Sequence, residues 1–103
     1  MSVELTQENF ARHLHTKFRV RVHAPRPVVL ELVEVQGWMN LASEQQTGME
    51  RFSIFFAGPP DMLLPQHLYT VEHEQMGTLD IFIVPIGRDA SGVRYEAVFN
   101  FAR

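Results

Sequence analysis

Five histidines and a scatter of carboxylates are the residues of this sequence with chemistry to offer. His13-Leu14-His15 places two imidazoles two residues apart, which sends them to different sides of a helix and aligns them only on an extended chain. His67 follows a Pro-Gln step, and His73 stands between Glu72 and Glu74. Zinc sites show their ligands in closer, patterned spacings, so histidines scattered in this way read first as solvated or turn-stabilising groups. Glu72 and Glu96 are the carboxylates that would make a pair if their strands adjoined. General acid–base work would need them close together in a cleft. A small ligand- or metal-binding barrel, or an enzyme, using Glu72, His73 and Glu96 is therefore the chemical reading to test.

The stretch Arg88-Asp89-Ala90-Ser91-Gly92 is the other place where polar side chains cluster. Ser91 has no base at a recognisable spacing and does not lie in the G-x-S-x-G setting of a nucleophile elbow. Its composition is that of a turn: Asp89 can bond backbone amides two residues on, and Gly92 accepts unusual backbone angles. Arg88 and Arg94 flank Asp89 and are expected to hold its carboxylate. No catalytic residue is assigned, and no cofactor is called for.

Composition narrows the classes further. One hundred and three residues, 46% of them hydrophobic and eight of them Phe, suffice for one modest core and a single domain over residues 1–103. With no cysteine, disulfides, thiol nucleophiles, iron–sulfur clusters and cysteine-based zinc sites are excluded. The N-terminus lacks a signal-peptide pattern and no apolar run reaches membrane-span length, so a soluble cytoplasmic protein with no membrane partner is expected. A net charge of −3 gives no general attraction to nucleic acid. Lys17, Arg19 and Arg21, with Tyr69 or Trp38 as a stacking face, are what a small barrel would offer single strands. The acidic total and the acidic neighbours expected for the basic stripe count against nucleic acid as a partner.

The elements that must position these residues follow from periodicity. Residues 5–14 read as a short helix, with Thr6 as N-cap and a Leu5–Phe10 hydrophobic staple. From Lys17 the period changes to two, with Phe18, Val20, Val22 and Ala24 inward and the cations outward. Pro25-Arg26-Pro27 ends that strand. The next covers residues 28–36, where Leu30/Leu32 and Val33/Val35 differ in phase, so a β-bulge near Leu32-Val33 is expected. Setting Ala24 opposite Val28 makes Val22 face Leu30, Arg21 face Glu31 and Arg19 face Glu34. The basic stripe then has acidic neighbours across the ladder. Further strands are expected over residues 52–56, 68–74, 78–86 and 93–101, with Ile83 opposite Tyr95 and a turn over residues 87–92. Six short strands with tight connections and no crossover helices predict an antiparallel small barrel, or a two-layer sandwich, with one N-terminal helix.

One feature breaks the alternation. Phe82, Val84 and Ile86 share a face with Val98 on the side away from the core, and Phe55 is out of phase with Phe52, Ile54 and Phe56. A sheet face turned to water should be polar. The N-terminal helix through Phe10 and Leu14, or the loop from Trp38 to Leu41, is expected to cover it. Failing that, Phe55, Phe82, Val84 and Val98 form an interface with a protein partner or a second copy.

The segment LPQHLYTVEHEQMGTLDIFIVPIGRDASGVRYEAVFNF, residues 64–101, resembles the C-terminal half of a family of small bacterial domains of unknown function. The shared features are a Pro-Gln…Tyr…Glu-His…Gly segment and a Phe-x-Val-Pro…Gly…Tyr-Glu-Ala-Val-Phe-Asn ending. A Leu-Thr…Phe start, a Phe-Arg-Val strand and a Phe-Ser-Ile-x-Phe-x-Gly-Pro strand extend the likeness toward the N-terminus. The resemblance implies one compact domain and no reaction, and it associates the chain with phage-tail-like or collar-type components. The leading functional expectation is thus a non-enzymatic interaction or assembly module.

Overall fold

The structure is a computed structural model that describes residues 5–22, 27–37 and 49–102, without the side chains of residues 49, 50 and 100–102. Helix α1 (Gln7–Ala11) opens on Thr6, whose hydroxyl accepts from the Asn9 amide at 3.1 Å. It is shorter than the periodicity suggests. After Ala11 the chain tightens into a turn, in which His15 takes φ 66° and its amide donates to the Leu32 carbonyl. A helix of five residues has no stability of its own. Phe10 supplies it by anchoring in the core, its ring 5.9 Å from Phe52 and 5.2 Å from Phe99.

Six strands follow: β1 (Lys17–Val20), β2 (Val28–Gly37), β3 (Met49–Gly58), β4 (His67–His73), β5 (Gly77–Asp89) and β6 (Gly92–Ala102). All pairings are antiparallel, and the order β1-β2-β3-β6-β5-β4 closes on itself. The fold is therefore a barrel rather than a sandwich. Closure leaves a small interior, and the alternate residues of every strand fill it. Phe18, Leu30, Leu32, Phe52, Ile54, Phe56, Val71, Ile83 and Tyr95 have no exposed surface. Each such side chain contributes about 1.5–3 kcal/mol by leaving water. Phe52 stacks on Phe99 at 5.1 Å, and Phe18 meets Phe56 edge-on at 5.3 Å.

The expected bulge is present: β2 slips register against β3 between Leu32 and Glu34. The first hairpin differs in register. Phe18 lies opposite Leu30 and Val20 opposite Val28, where Val22 was expected to face Leu30. After Val20 the chain leaves β2 and turns to β4, because the Arg21 amide donates to the Thr70 carbonyl at 2.9 Å. The acidic neighbours of the basic stripe consequently change: Lys17 meets Glu31, and Arg21 meets Glu72.

The last hairpin also shifts. A bulge between Pro85 and Gly87 sets Tyr95 opposite Pro85, and Gly87, Arg88 and Asp89 belong to the strand. Only Ala90 and Ser91 remain in the turn. Asp89 accepts from the Ser91 amide and hydroxyl and from the Gly92 amide, as its turn chemistry requires. Neither arginine holds it. Arg88 donates to the Pro60 carbonyl, and Arg94 pairs with Glu34.

Candidate functional site

Two places on this barrel gather the residues singled out by their chemistry. The first is the seam where β1 meets β4. Inward alternation along β4 buries Tyr69, Val71 and His73 and turns Glu72 outward. His73 is 8% exposed, and both ring nitrogens are engaged. Nδ1 accepts from the Gln75 and Met76 amides, each at 3.0 Å. Two N–H donors on Nδ1 require the tautomer with its proton on Nε2. That proton reaches the Thr16 hydroxyl at 2.9 Å, and Thr16 donates onward to the His13 carbonyl. The imidazole lies 4.4 Å from the Phe18 ring and 4.8 Å, edge-on, from that of His13. Burial, and secondarily the His13 charge, push the His73 pKa below the ordinary histidine value, with Glu74 acting in the opposite sense.

Outside this network lies a shallow depression of about 440 Å³ lined by Lys17, Arg19, Val29, Glu72, His73 and Glu74. Glu72 is held below the usual carboxylate range by its bond from Arg21. Glu31 is likewise held down by Lys17 and His15. His13 and His15 diverge, the first to His73 and the second to Glu31. His67 stands apart, its ring 5.3 Å from that of Tyr69.

The Glu72–His73–Glu96 arrangement is not brought together. Glu72 lies opposite Thr78 and Glu96 opposite Val84, six residues further along β5. At the rise of a strand that is about 20 Å, and β5 stands between the two carboxylates. Among the described residues there is no group of three His, Asp or Glu placed to hold a metal ion. The stacking platform imagined for single strands is also missing on β4. Tyr69 is buried, donating its hydroxyl to the Pro65 carbonyl. Trp38 lies outside the described residues.

The second place is the outer wall of β5 and β6. Phe82, Ile86 and Val98 are each close to half exposed, and Leu68, opposite Phe82 on β4, is 57% exposed. Val84 and Phe55 are half-buried on the same wall, one on either side of Glu96. The Arg94 guanidinium lies 5.0 Å over the Phe55 ring. The helix does not cover this wall, because Phe10 packs inside against Phe52 and Phe99 and Leu14 stays exposed. The other expected cover, the loop from Trp38 to Leu41, falls outside the described residues. Glu96 has no ion-pair partner among the described residues.

Two elements of this geometry were not read from the sequence. Leu68 belongs to the apolar wall, and its phase, opposite to that of Tyr69 and Val71, was the available signal. The Thr16–His73 bond joins residues 57 apart, and no local pattern announces it.

Among the described residues, no helix is long and apolar enough to cross a membrane. A family model described as "Domain of unknown function (DUF6916)" matches residues 5–99, so the chain belongs to that family. Comparison with curated proteins and with solved structures finds no match.

Proposed function

We propose that this member of the family is a non-enzymatic interaction module whose working surface is the β5–β6 wall, built on Phe55, Phe82, Val84 and Val98 and extended by Leu68 and Ile86. The observation that carries the reading is the exposure of large apolar side chains on strands whose opposite faces already fill the core. Contiguous apolar surface of this kind is usually a contact surface. Glu96 refines it. A carboxylate without an ion pair among the described residues, set between Phe55 and Val84, favours a protein partner that offers an apolar surface with one cation at its centre. Service as an accessory of a phage-tail-like structure belongs to the same proposal and rests on the sequence resemblance alone.

The test is capture of partners from native lysate at physiological salt by tagged wild type and by Val84→Glu, with oligomeric state followed by sedimentation. Val84→Glu should remain a folded monomer and lose the wild-type partner or the self-association. Equal capture by both proteins removes the wall from the interface. If Val84→Glu unfolds, Phe82→Glu, at a more exposed position of the same wall, decides between an internal face and an external one.

A further inference from the structure

The β1–β4 seam is the thinnest join of the barrel. Among the described residues, Arg19 and Val20 pair with Glu72 and Val71, with one more backbone bond from the Arg21 amide to Thr70. By contrast, β3 and β6 pair over ten residues on each strand. Next to this short seam, a chain of side-chain bonds crosses from the β4–β5 turn to the link between α1 and β1. It runs from the Gln75 and Met76 amides through His73 to Thr16 and the His13 carbonyl.

From this geometry we infer that His73 is an acid-released latch: neutral, it ties the β4–β5 turn to the α1–β1 link, and protonated, it lets the seam open. The argument is one of donors and acceptors. A protonated imidazole carries hydrogen on both nitrogens. Its Nδ1–H would then point at two amide hydrogens, and both turn bonds would be lost together. The cation, largely out of water, would also lose those two bonds without a new acceptor among the described residues.

The neighbours of the ring bear on this from every side. From the α1–β1 link comes His13, whose own protonation would add a second positive charge 4.8 Å away. From β1 come apolar Phe18 against the ring and the cations Lys17 and Arg19 at the depression. From β4 and its turn come Glu72, engaged by Arg21, and Glu74, which favours the cation. The depression gives protons a path to the ring edge.

The sign follows from linkage. A histidine whose folded pKa lies below its unfolded one stabilises the fold fully above the unfolded value of about 6.5, and that stability is lost as pH falls below it. The loss saturates beneath the folded pKa. Glu31 and Glu72, held low by their partners, lose their contribution only in the carboxylate range near pH 4 and below. The two acid effects therefore occupy separate windows.

The decisive experiment is amide hydrogen exchange at pH 7.5 and 5.0, corrected for intrinsic rates, with histidine side-chain nitrogen shifts recorded on the same wild-type sample. Protection of the Arg21, Gln75 and Met76 amides should fall by about tenfold for each pKa unit that separates the folded from the unfolded histidine. Amides of strand β3 within its long pairing with β6, such as that of Ile54, should keep their protection. His73→Asn, whose side-chain oxygen can take the place of Nδ1 without titrating, should make seam protection equal at the two pH values. Should that variant fail to fold, the wild-type shifts still decide. At pH 7.5 they must show a neutral ring with hydrogen on Nε2, and the seam amides must lose protection as that ring takes up a proton. Unchanged seam protection, a ring protonated on Nδ1 at pH 7.5, or an equal acid loss in His73→Asn would each overturn the latch.

Discussion

Two walls of the same barrel solve the problem of facing outward in opposite ways. Around the β1–β2 hairpin and the seam end of β4, the outward face is built on ion pairs, Lys17 with Glu31, Arg21 with Glu72 and His15 with Glu31, beside an exposed Val29. On the β5–β6 side Phe82, Val84, Ile86 and Val98 face outward, with Glu96 among them. Both walls back onto the same filled interior, so the demands of the core do not account for the difference. A strand solvated on one face needs polar residues there, and the ionic wall shows that this sequence supplies them where water is the neighbour. The apolar wall is thus a departure maintained against the ordinary pattern, and a binding surface is the reason we give for it.

The sharpest way to break that comparison is to truncate adjacent residues of one strand. Ile83 faces inward with no exposed surface, and Phe82 faces outward, 47% exposed. Ile83→Ala should destabilise by about 2–5 kcal/mol through lost transfer energy and the cavity left behind. Phe82→Ala, although it removes more atoms, should cost less than about 1 kcal/mol. Urea denaturation of both variants measures this directly. A Phe82→Ala cost as large as that of Ile83→Ala would mean that the wall is packed by this same chain.

A smaller effect separates the two faces of β6. The Tyr95 hydroxyl, inside the barrel, accepts from the Leu64 amide at 2.9 Å and fixes the loop over residues 59–66 to the core. Tyr95→Phe leaves that buried amide without its acceptor and should cost about 1–3 kcal/mol. The next residue outward, Glu96, makes no ion pair among the described residues, and Glu96→Gln should leave the urea midpoint at the wild-type value. The same substitution should weaken partner capture, which Tyr95→Phe, once folded, should not.

Most of the fold could be read from the residues because period-two alternation is unusually regular here. Phe18/Val20, Leu30/Leu32, Ile81/Ile83 and Tyr95/Ala97 declare their faces without help. Register was less legible, for a physical reason in each hairpin. Arg21 turns its amide to Thr70, 49 residues further along the chain, and the bulge at Ile86 adds one residue whose signal, Pro85 and Gly87 inside a strand, does not say how far the pairing shifts. Of the candidate site, the apolar wall was visible as a break in phase. The Glu72–His73–Glu96 arrangement failed because adjacency in a barrel is set by strand order, and β5 intervenes. His73 could be suspected of stabilising a turn, but its link to Thr16 exists only once the barrel closes.

The smallest expected effect lies on the ionic wall. Lys17→Ala removes the Nζ contact to Glu31 at 3.0 Å, yet both side chains are in reach of water and the pair is screened by salt. Its urea midpoint should stay within measurement scatter of the wild type at 0.15 M salt, and the difference should shrink further as salt rises. A clear loss of stability would contradict the contrast drawn above, since the ionic wall would then hold the barrel together. A null result points to a different role. Among the described residues the β1–β4 seam joins two residue pairs, and charged side chains along so short a join discourage another chain from inserting there. On that account the paired charges keep one wall solitary, and the exposed Phe82, Ile86 and Val98 leave the other open to a partner.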